Sequence, residues 1–288
     1  MTSTTEQAAS ETASRWKNVL VEFQDGIAWV TLNRPEKRNA MSPALNREML
    51  EVLDALEVDD RCAVLVLTGA GESFSAGMDI KEYFREVDKA TPIGVMRVQR
   101  ASMAWQWRRL MYFPKPTIAM INGWCFGGGF TPVVSCDLSI AAEDAVFGLS
   151  EINWGIIPAG NVTRAVAEKM TQSDALYYLM TGENFDGRKA AEMRLVNEAV
   201  PRAQLRARTE ALARKLMEKN PHVLSAVKLA YRRVKEMPWD VSEDYLYAKA
   251  QQTYSTDPEQ GRKKGMDQFL DEKSYRPGLN NYRRDTEK

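Results

Sequence analysis

The apolar positions change period along the chain, and each change predicts an element. Val19 to Phe23 and Ile27 to Leu32 are apolar-rich runs joined by Asp25-Gly26, which predicts a tight hairpin. Asn33-Arg34-Pro35-Glu36-Lys37-Arg38-Asn39-Ala40 then breaks the strand with a proline and carries three cations. Ser42 reads as an N-cap with Pro43 at the first helical position, and Leu45, Met49, Val52, Leu53 and Leu56 recur with a helical period. Ala63 to Leu67 is a buried-type strand ending at Thr68-Gly69. Strand, helix and strand in that order predict parallel pairing through a crossover. Gly71 to Ile80 forms a glycine-bearing loop leading into a short polar helix. Pro92 to Phe113 reads as a helix rich in bulky groups, where Trp105 and Trp107 suit either buried packing or a ligand wall.

The middle of the chain has a different texture. Thr117 to Ile121 is β-branched and aliphatic, ends at the turn signal Asn122-Gly123, and is followed by a helix-like segment from Gly127 to Ser135 that opens on three glycines. Glycine lets a ligand approach backbone N–H groups that lack partners at a helix start, which outlines an oxyanion hole; the same glycines also suit tight packing. Asp137 to Ala142 supplies another strand. Ser150-Glu151-Ile152 sets a carboxylate between apolar neighbours, followed by Trp154-Gly155 and Pro158-Ala159-Gly160. An acid beside an oxyanion site points to proton transfer next to a stabilised enolate or tetrahedral oxyanion, whereas an acid on the surface would do nothing of the kind.

Beyond Gly160 the pattern turns helical. Val162 to Lys169, Asp174 to Met180 and Gly187 to Glu192 are short segments, and Leu195 to Val200 is briefly extended before Pro201. Ala203 to Lys219, His222 to Glu236, Val241 to Tyr254 and Pro258 to Leu270 read as helices ahead of a polar tail. No internal repeat is present.

Composition narrows the possibilities. The 288 residues are 44% hydrophobic, with no apolar run of membrane-spanning length. The 39 basic residues balance 39 acidic ones, which argues against nucleic acid as a partner. Cys62, Cys125 and Cys136 are odd in number and widely spaced, as expected of reduced thiols in the cytoplasm. His222 is the lone histidine and follows Pro221, where it reads as a surface or capping residue. A Ser-His-Asp triad or histidine-rich zinc site is thereby nearly excluded, and no metal is expected. Residues 1–15, made of Thr, Ser, Ala and Glu, read as a disordered tail.

Four motifs in order, NRPEKRNAMS at Asn33 to Ser42, SAGMDI at Ser75 to Ile80, INGWCFGGGF at Ile121 to Phe130 and FGLSEINWGIIPAG at Phe147 to Gly160, resemble the crotonase superfamily. The likeness runs from about Trp16 to Leu270. It implies an α/β fold, a crotonase-like β-β-α superhelix with a C-terminal helical region, usually assembled as a homotrimer or a dimer of trimers. In those terms residues 16–200 form the core and 201–288 the helical trimerisation region and tail. It also implies an acyl-CoA substrate, with coenzyme A entering as part of that substrate and no separate cofactor. The oxyanion donors implied are the amides of Met78 and Gly128, with Glu151 as acid and base. Lys37, Ala76, Ile80, Ser150 and Trp154 are the implied contacts to coenzyme A, with Lys37 a reasonable phosphate partner.

One departure is informative. Where ordinary hydratases of the superfamily carry a first glutamate just after the triple glycine, this chain has Thr131, which becomes a substrate-side candidate. Glu151 is left as the one acid-base group. The stretches NRPEKRNAMSP, AGMDIKEYFREVD, GLSEINWG and EDYLYAK resemble more narrowly the branch that hydrates and cleaves 4-hydroxycinnamoyl-CoA esters. That likeness implies that Tyr83 and Tyr247 hold the phenolic hydroxyl of the substrate. The alternatives are a hydratase or isomerase of aliphatic acyl-CoA, against which Tyr83, Tyr247 and Thr131 argue, and a non-catalytic RNA-binding or scaffolding protein of the same fold. Thiol catalysis by Cys125 lacks a basic neighbour in sequence.

Overall fold

Asp25 and Gly26 both take positive φ, 49° and 84°, the turn geometry that matches the natural twist of a two-residue hairpin. They join β1 (Val19–Gln24) to β2 (Ile27–Leu32) in an antiparallel pair with Gln24 opposite Ile27. Next, α1 (Pro43–Glu57) starts where expected: Ser42 Oγ accepts from the Leu45 amide at 3.2 Å. Its buried face contains the expected stripe of Leu45, Met49, Val52, Leu53 and Leu56. The helix returns the chain to β3 (Val64–Gly69), parallel to β2. The computed structural model describes residues 15–284, so residues 1–14 of the expected N-terminal tail lie outside the described residues.

From β3 onward one unit repeats three times: a long strand, a tight turn, a three-residue strand and a helix. β3 is followed by β4 (Ser73–Ser75) and α2 (Pro92–Met103). β5 (Thr117–Ile121) is followed by β6 (Trp124–Phe126) and α3 (Phe130–Ser135). β7 (Leu138–Ala142) is followed by β8 (Val146–Gly148) and α4 (Val162–Lys169). After α5 (Gln172–Thr181) come β9 (Asn184–Asp186), α6 (Gly187–Glu192), β10 (Glu198–Val200) and α7 (Leu205–Met217). The long strands build a six-stranded sheet in the order β1-β2-β3-β5-β7-β10, parallel except at β1, and the short ones a four-stranded sheet in the order β4-β6-β8-β9. This is the β-β-α superhelix. Its core contains the run of buried strand residues in β3, β5 and β7, and α1 packs against β1 and against the helical segment that follows β4.

Several expected elements shift for local reasons. The helix from Pro92 changes at Ala104–Arg109 into a π-helical turn. There Trp105 is fully buried with its Nε1 donating to Asn46 Oδ1 at 2.7 Å, so it packs and is no ligand wall. The strand expected from Leu195 begins only at Glu198, because the Leu195 amide is tied back to the Ala190 carbonyl at 2.9 Å and finishes the preceding helix.

By its contacts the chain divides into two compact units, one of residues up to Phe113 with Thr117–Ala213, the other of Pro114–Pro116 with residues from Arg214 onward. The second unit contains α8 (Pro221–Val234), α9 (Trp239–Thr256) and α10 (Gly261–Met266). The cap of α8 is Asn220, whose side chain accepts from Val223 N at 3.1 Å, while His222 Nε2 pairs with Thr256 Oγ1 at 2.9 Å. The last helix starts at Gly261 rather than Pro258, since Asp257 first turns the chain by accepting from the Glu259 and Gly261 amides at 3.1 and 2.7 Å. Among the described residues no helix is long and apolar enough to cross a membrane.

Candidate active site

β4, β6 and β8 lie side by side and parallel, so their C-terminal ends emerge on one edge about 5 Å apart. Each end delivers one segment: Ala76–Met78 after β4, the triple glycine after β6, and Leu149–Glu151 after β8. These segments meet around a cavity of about 470 Å³ whose lining includes Met78, Gly128 and Glu151.

The two expected donors are freed by the backbone itself. Met78 forms a parallel bridge with Met41, and in such a bridge the flanking residues make the bonds: Met41 N donates to Gly77 O at 2.7 Å and Asp79 N to Met41 O at 3.1 Å. The Met78 N–H is left to point the other way. Gly128 stands in the first turn of a 3₁₀ segment, Gly127–Gly129, where amides have no partner within the helix. The two segments touch closely enough that a methyl added to Gly77, itself at φ +87°, would lie 3.0 Å from Gly128 N and 2.7 Å from Phe126 O.

A buried polar network holds the Met78 segment in place. The Asn39 side chain, on a residue with φ +55°, accepts from Arg34 N at 2.9 Å and donates to Ala70 O and Ser73 O at 2.8 and 2.7 Å. Ser75 Oγ donates to Asn39 O and accepts from Gly77 N. Arg34, 7% exposed, donates to Ala40 O at 2.7 Å, Asp79 Oδ2 at 3.0 Å and Glu82 Oε1 at 2.6 Å. Burial alone would raise the Asp79 carboxyl, but the Glu82 amide and the Arg34 guanidinium outweigh it and hold that group below its ordinary 3.8. The motif with three cations is therefore largely a brace. The Arg34 cation is turned inward, and the sequence signal that could have shown this is the asparagine able to adopt positive φ.

Glu151 lies in a short 3₁₀ segment, Ser150–Trp154, and is 7% exposed. Gly127, at φ +45°, lets the backbone pass so close that an added methyl would be 2.7 Å from Glu151 Oε1. Oε2 is buried with no protein partner among the described residues. Burial pushes the Glu151 carboxyl above its ordinary 4.5, against a smaller opposing pull from its own amide. A carboxylate so placed is suited to moving protons. Among the described residues that line the cavity it is the only acid, and no histidine or cysteine joins it. The three cysteines are buried and none is in a disulfide among the described residues, and burial pushes the Cys125 thiol far up, which argues against it as a nucleophile.

Of the residues singled out by sequence, Ala76, Met78, Ile80, Tyr83, Gly128, Ser150, Glu151 and Trp154 line this one cavity. Lys37 is exposed and outside the lining. Its neighbour Arg38 does line the cavity, with its guanidinium 5.0 Å from the centre of the Trp124 ring. Thr131, expected on the substrate side, is instead fully packed and outside the lining, because its hydroxyl donates to the Gly160 carbonyl at 3.1 Å. Tyr247 lies on α9 in the second unit and is 68% exposed. Gln106, unremarked in the sequence, is buried behind the donors and reaches Met78 Sδ at 3.3 Å.

The sequence pattern of the enoyl-CoA hydratase/isomerase family matches residues 22–276, and the chain belongs to that family. It is 60% identical over 270 residues to a hydroxycinnamoyl-CoA hydratase-lyase of Pseudomonas fluorescens, covering 94% of this chain and 98% of that one. Identity to a 2,3-dehydroadipyl-CoA hydratase of Escherichia coli (strain K12) is 33% over 219 residues, 76% of this chain and 83% of the relative. Among solved structures, an enoyl-CoA hydratase from Shewanella pealeana superposes with a TM-score of 0.81 at 26% identity, over 92% of this chain and 97% of that one.

Proposed function

We propose that the chain hydrates and then cleaves 4-hydroxycinnamoyl-CoA thioesters such as feruloyl-CoA, 4-coumaroyl-CoA and caffeoyl-CoA. The products are vanillin or the corresponding hydroxybenzaldehyde, and acetyl-CoA. The observation that carries this reading is a single buried carboxylate, Glu151, sharing a cavity with the Met78 and Gly128 amides and with the phenol of Tyr83. The likeness to a hydratase-lyase at 60% identity supports it independently.

In this reading the thioester oxygen sits against the Met78 and Gly128 amides, where losing one donor costs ~3 kcal/mol of transition-state stabilisation. Glu151 takes a proton from water as the water oxygen bonds to the β-carbon, the electron pair moves onto the thioester oxygen, and the proton is returned to Cα. Glu151 then takes the proton of the new β-hydroxyl. The Cα–Cβ bond breaks, the aldehyde leaves, and the electron pair passes to an enolate held by the same two amides. Return of the proton to that carbon gives acetyl-CoA. The 4-hydroxyl of the ring releases electrons toward the β-carbon, so one carboxylate suffices where aliphatic hydratases use two.

Tyr83 binds the ring hydroxyl together with Tyr247, of the same subunit or of a neighbouring one. Ala76, Ile80, Ser150 and Trp154 contact coenzyme A, which is part of the substrate, with Lys37 near its phosphates. Thr131 acts indirectly, by holding Gly160 at the cavity wall. The protein works in the cytoplasm as a homotrimer or dimer of trimers, with residues 201–288 as the assembly region. The exposed apolar side chains Val223, Val227 and Tyr231 of α8 support that role. Incubation with feruloyl-CoA and with crotonyl-CoA, followed by mass spectrometry, tests the reading. Vanillin and acetyl-CoA from the first, with little consumption of the second, is the expected result; the reverse preference rejects it in favour of an aliphatic hydratase.

A further inference from the structure

Behind the wall of the cavity stands a buried serine that the reaction itself does not use. Ser102, on α2, is fully buried. Its Oγ donates to the Gln99 carbonyl one turn back at 3.0 Å, and the same oxygen lies 3.0 Å from the Tyr83 hydroxyl. A serine has one proton to donate, and a carbonyl can only accept. With that proton directed to Gln99, the Tyr83 O–H has to be the donor to Ser102. The Tyr83 oxygen then offers lone pairs, and no proton, to whatever enters the cavity that its ring lines. Burial raises the Tyr83 phenol above its ordinary 10.0, so it stays protonated and the direction is kept.

We propose that Ser102 is a positioning residue that fixes the direction of the Tyr83 hydroxyl, so that Tyr83 accepts a hydrogen bond from the substrate ring and selects a ring with a hydroxyl at its 4-position over one with an ether there. This rests on the reading above in which Tyr83 holds the 4-hydroxyl. A methoxy oxygen brought to the same place meets an acceptor with nothing to donate, whereas a hydroxyl completes a run of three bonds that ends on a backbone carbonyl.

The test uses two saturated thioesters that cannot be hydrated, 3-(4-hydroxyphenyl)propanoyl-CoA and 3-(4-methoxyphenyl)propanoyl-CoA, with dissociation constants measured by titration calorimetry. Butanoyl-CoA serves as the aliphatic control. The wild type is expected to bind the methoxy ester about tenfold more weakly than the hydroxy ester. In Ser102→Ala the Tyr83 proton is released to the ligand, and the gap should narrow to about twofold, chiefly because the methoxy ester binds more tightly. The bulk of the methyl group is the same in both proteins and cancels. Ser102→Thr, which keeps the hydroxyl, should restore the wild-type gap. Tyr83→Phe should narrow it from the other side, by weakening the hydroxy ester alone, and gives a second route should Ser102→Ala fold poorly. A gap unchanged in Ser102→Ala or in Tyr83→Phe, or equal weakening of both esters, overturns the assignment while leaving the proposed substrate class intact. Wild type that binds butanoyl-CoA and neither aryl ester overturns both.

Discussion

Replacing Gly127 by alanine separates the two things that glycine does. Its backbone sits at φ +45°, where an alanine costs about 1–2 kcal/mol, and the new methyl group would lie 2.7 Å from Glu151 Oε1. Carbon and oxygen in contact sit about 3.3 Å apart or more, so one of them has to give by about 0.6 Å. The atom that can give is the far end of the Glu151 side chain, because the other partner is main chain. The steric term therefore appears as a displaced carboxylate, while the folded state loses only the backbone term, equivalent to about 2–8 °C in Tm. A misplacement of about 1 Å costs about 100-fold in rate, so a shift of about 0.6 Å should lower kcat by about tenfold or more with KM little changed. Stopped-flow absorbance of aldehyde release, set beside a thermal melt, reads both quantities. A variant with wild-type kcat would show that the position of Glu151 does not limit the chemistry. One that unfolds outright would show that the glycine is there for packing.

Gly77→Ala meets main chain on both sides, the Phe126 carbonyl at 2.7 Å and the Gly128 amide at 3.0 Å, so it should spread the two donors and cut kcat by about 100-fold or more. Calorimetric binding of acetyl-CoA checks that the cavity survives. Arg34→Ala leaves Asp79 as a buried carboxylate without its cation and should cost about 3–5 kcal/mol in urea unfolding, whereas a loss below about 1 kcal/mol would make the brace dispensable. Glu151→Gln carries a stability signature with a definite sign. A carboxyl whose folded pKa is raised contributes stability below its unfolded value, ordinarily 4.5, and that contribution is lost as pH rises through the folded value. The glutamine variant should thus gain on the wild type from pH 4 to pH 8 in urea unfolding; a constant difference would mean that burial does not penalise the charge.

Much of the larger sheet was legible because its elements carry strong local signals. Asp25-Gly26 announces a hairpin, Ser42-Pro43 a helix start, and Ala63 to Leu67 and Thr117 to Ile121 are long enough to read as buried strands. The small sheet was not legible, and it is the part that builds the site. Its strands, Ser73–Ser75, Trp124–Phe126, Val146–Gly148 and Asn184–Asp186, have three residues each, too short to display an alternation. Glu151 and the triple glycine drew notice as local chemistry, and the Met78 and Gly128 amides came from resemblance in motif; the structure supplies the reason these segments converge: three neighbouring parallel strands end together. Arg34 and Arg38 look alike as cations in sequence. Only the fold shows that one is buried against Asp79 and the other lies over Trp124 at the cavity. Thr131 drew notice by occupying a place where a carboxylate was expected, yet its hydroxyl is directed to Gly160, a pairing 29 residues away that no local pattern encodes.

In the proposed mechanism one carboxylate serves both the hydration and the cleavage. Single-turnover reaction of Glu151→Gln with feruloyl-CoA addresses it most directly, with ester binding followed by calorimetry and products by mass spectrometry. Binding is expected within a few-fold of wild type, with formation of both the β-hydroxy thioester and vanillin slowed by about 100-fold or more. Vanillin release at a rate near wild type, or normal hydration with only cleavage lost, would contradict it.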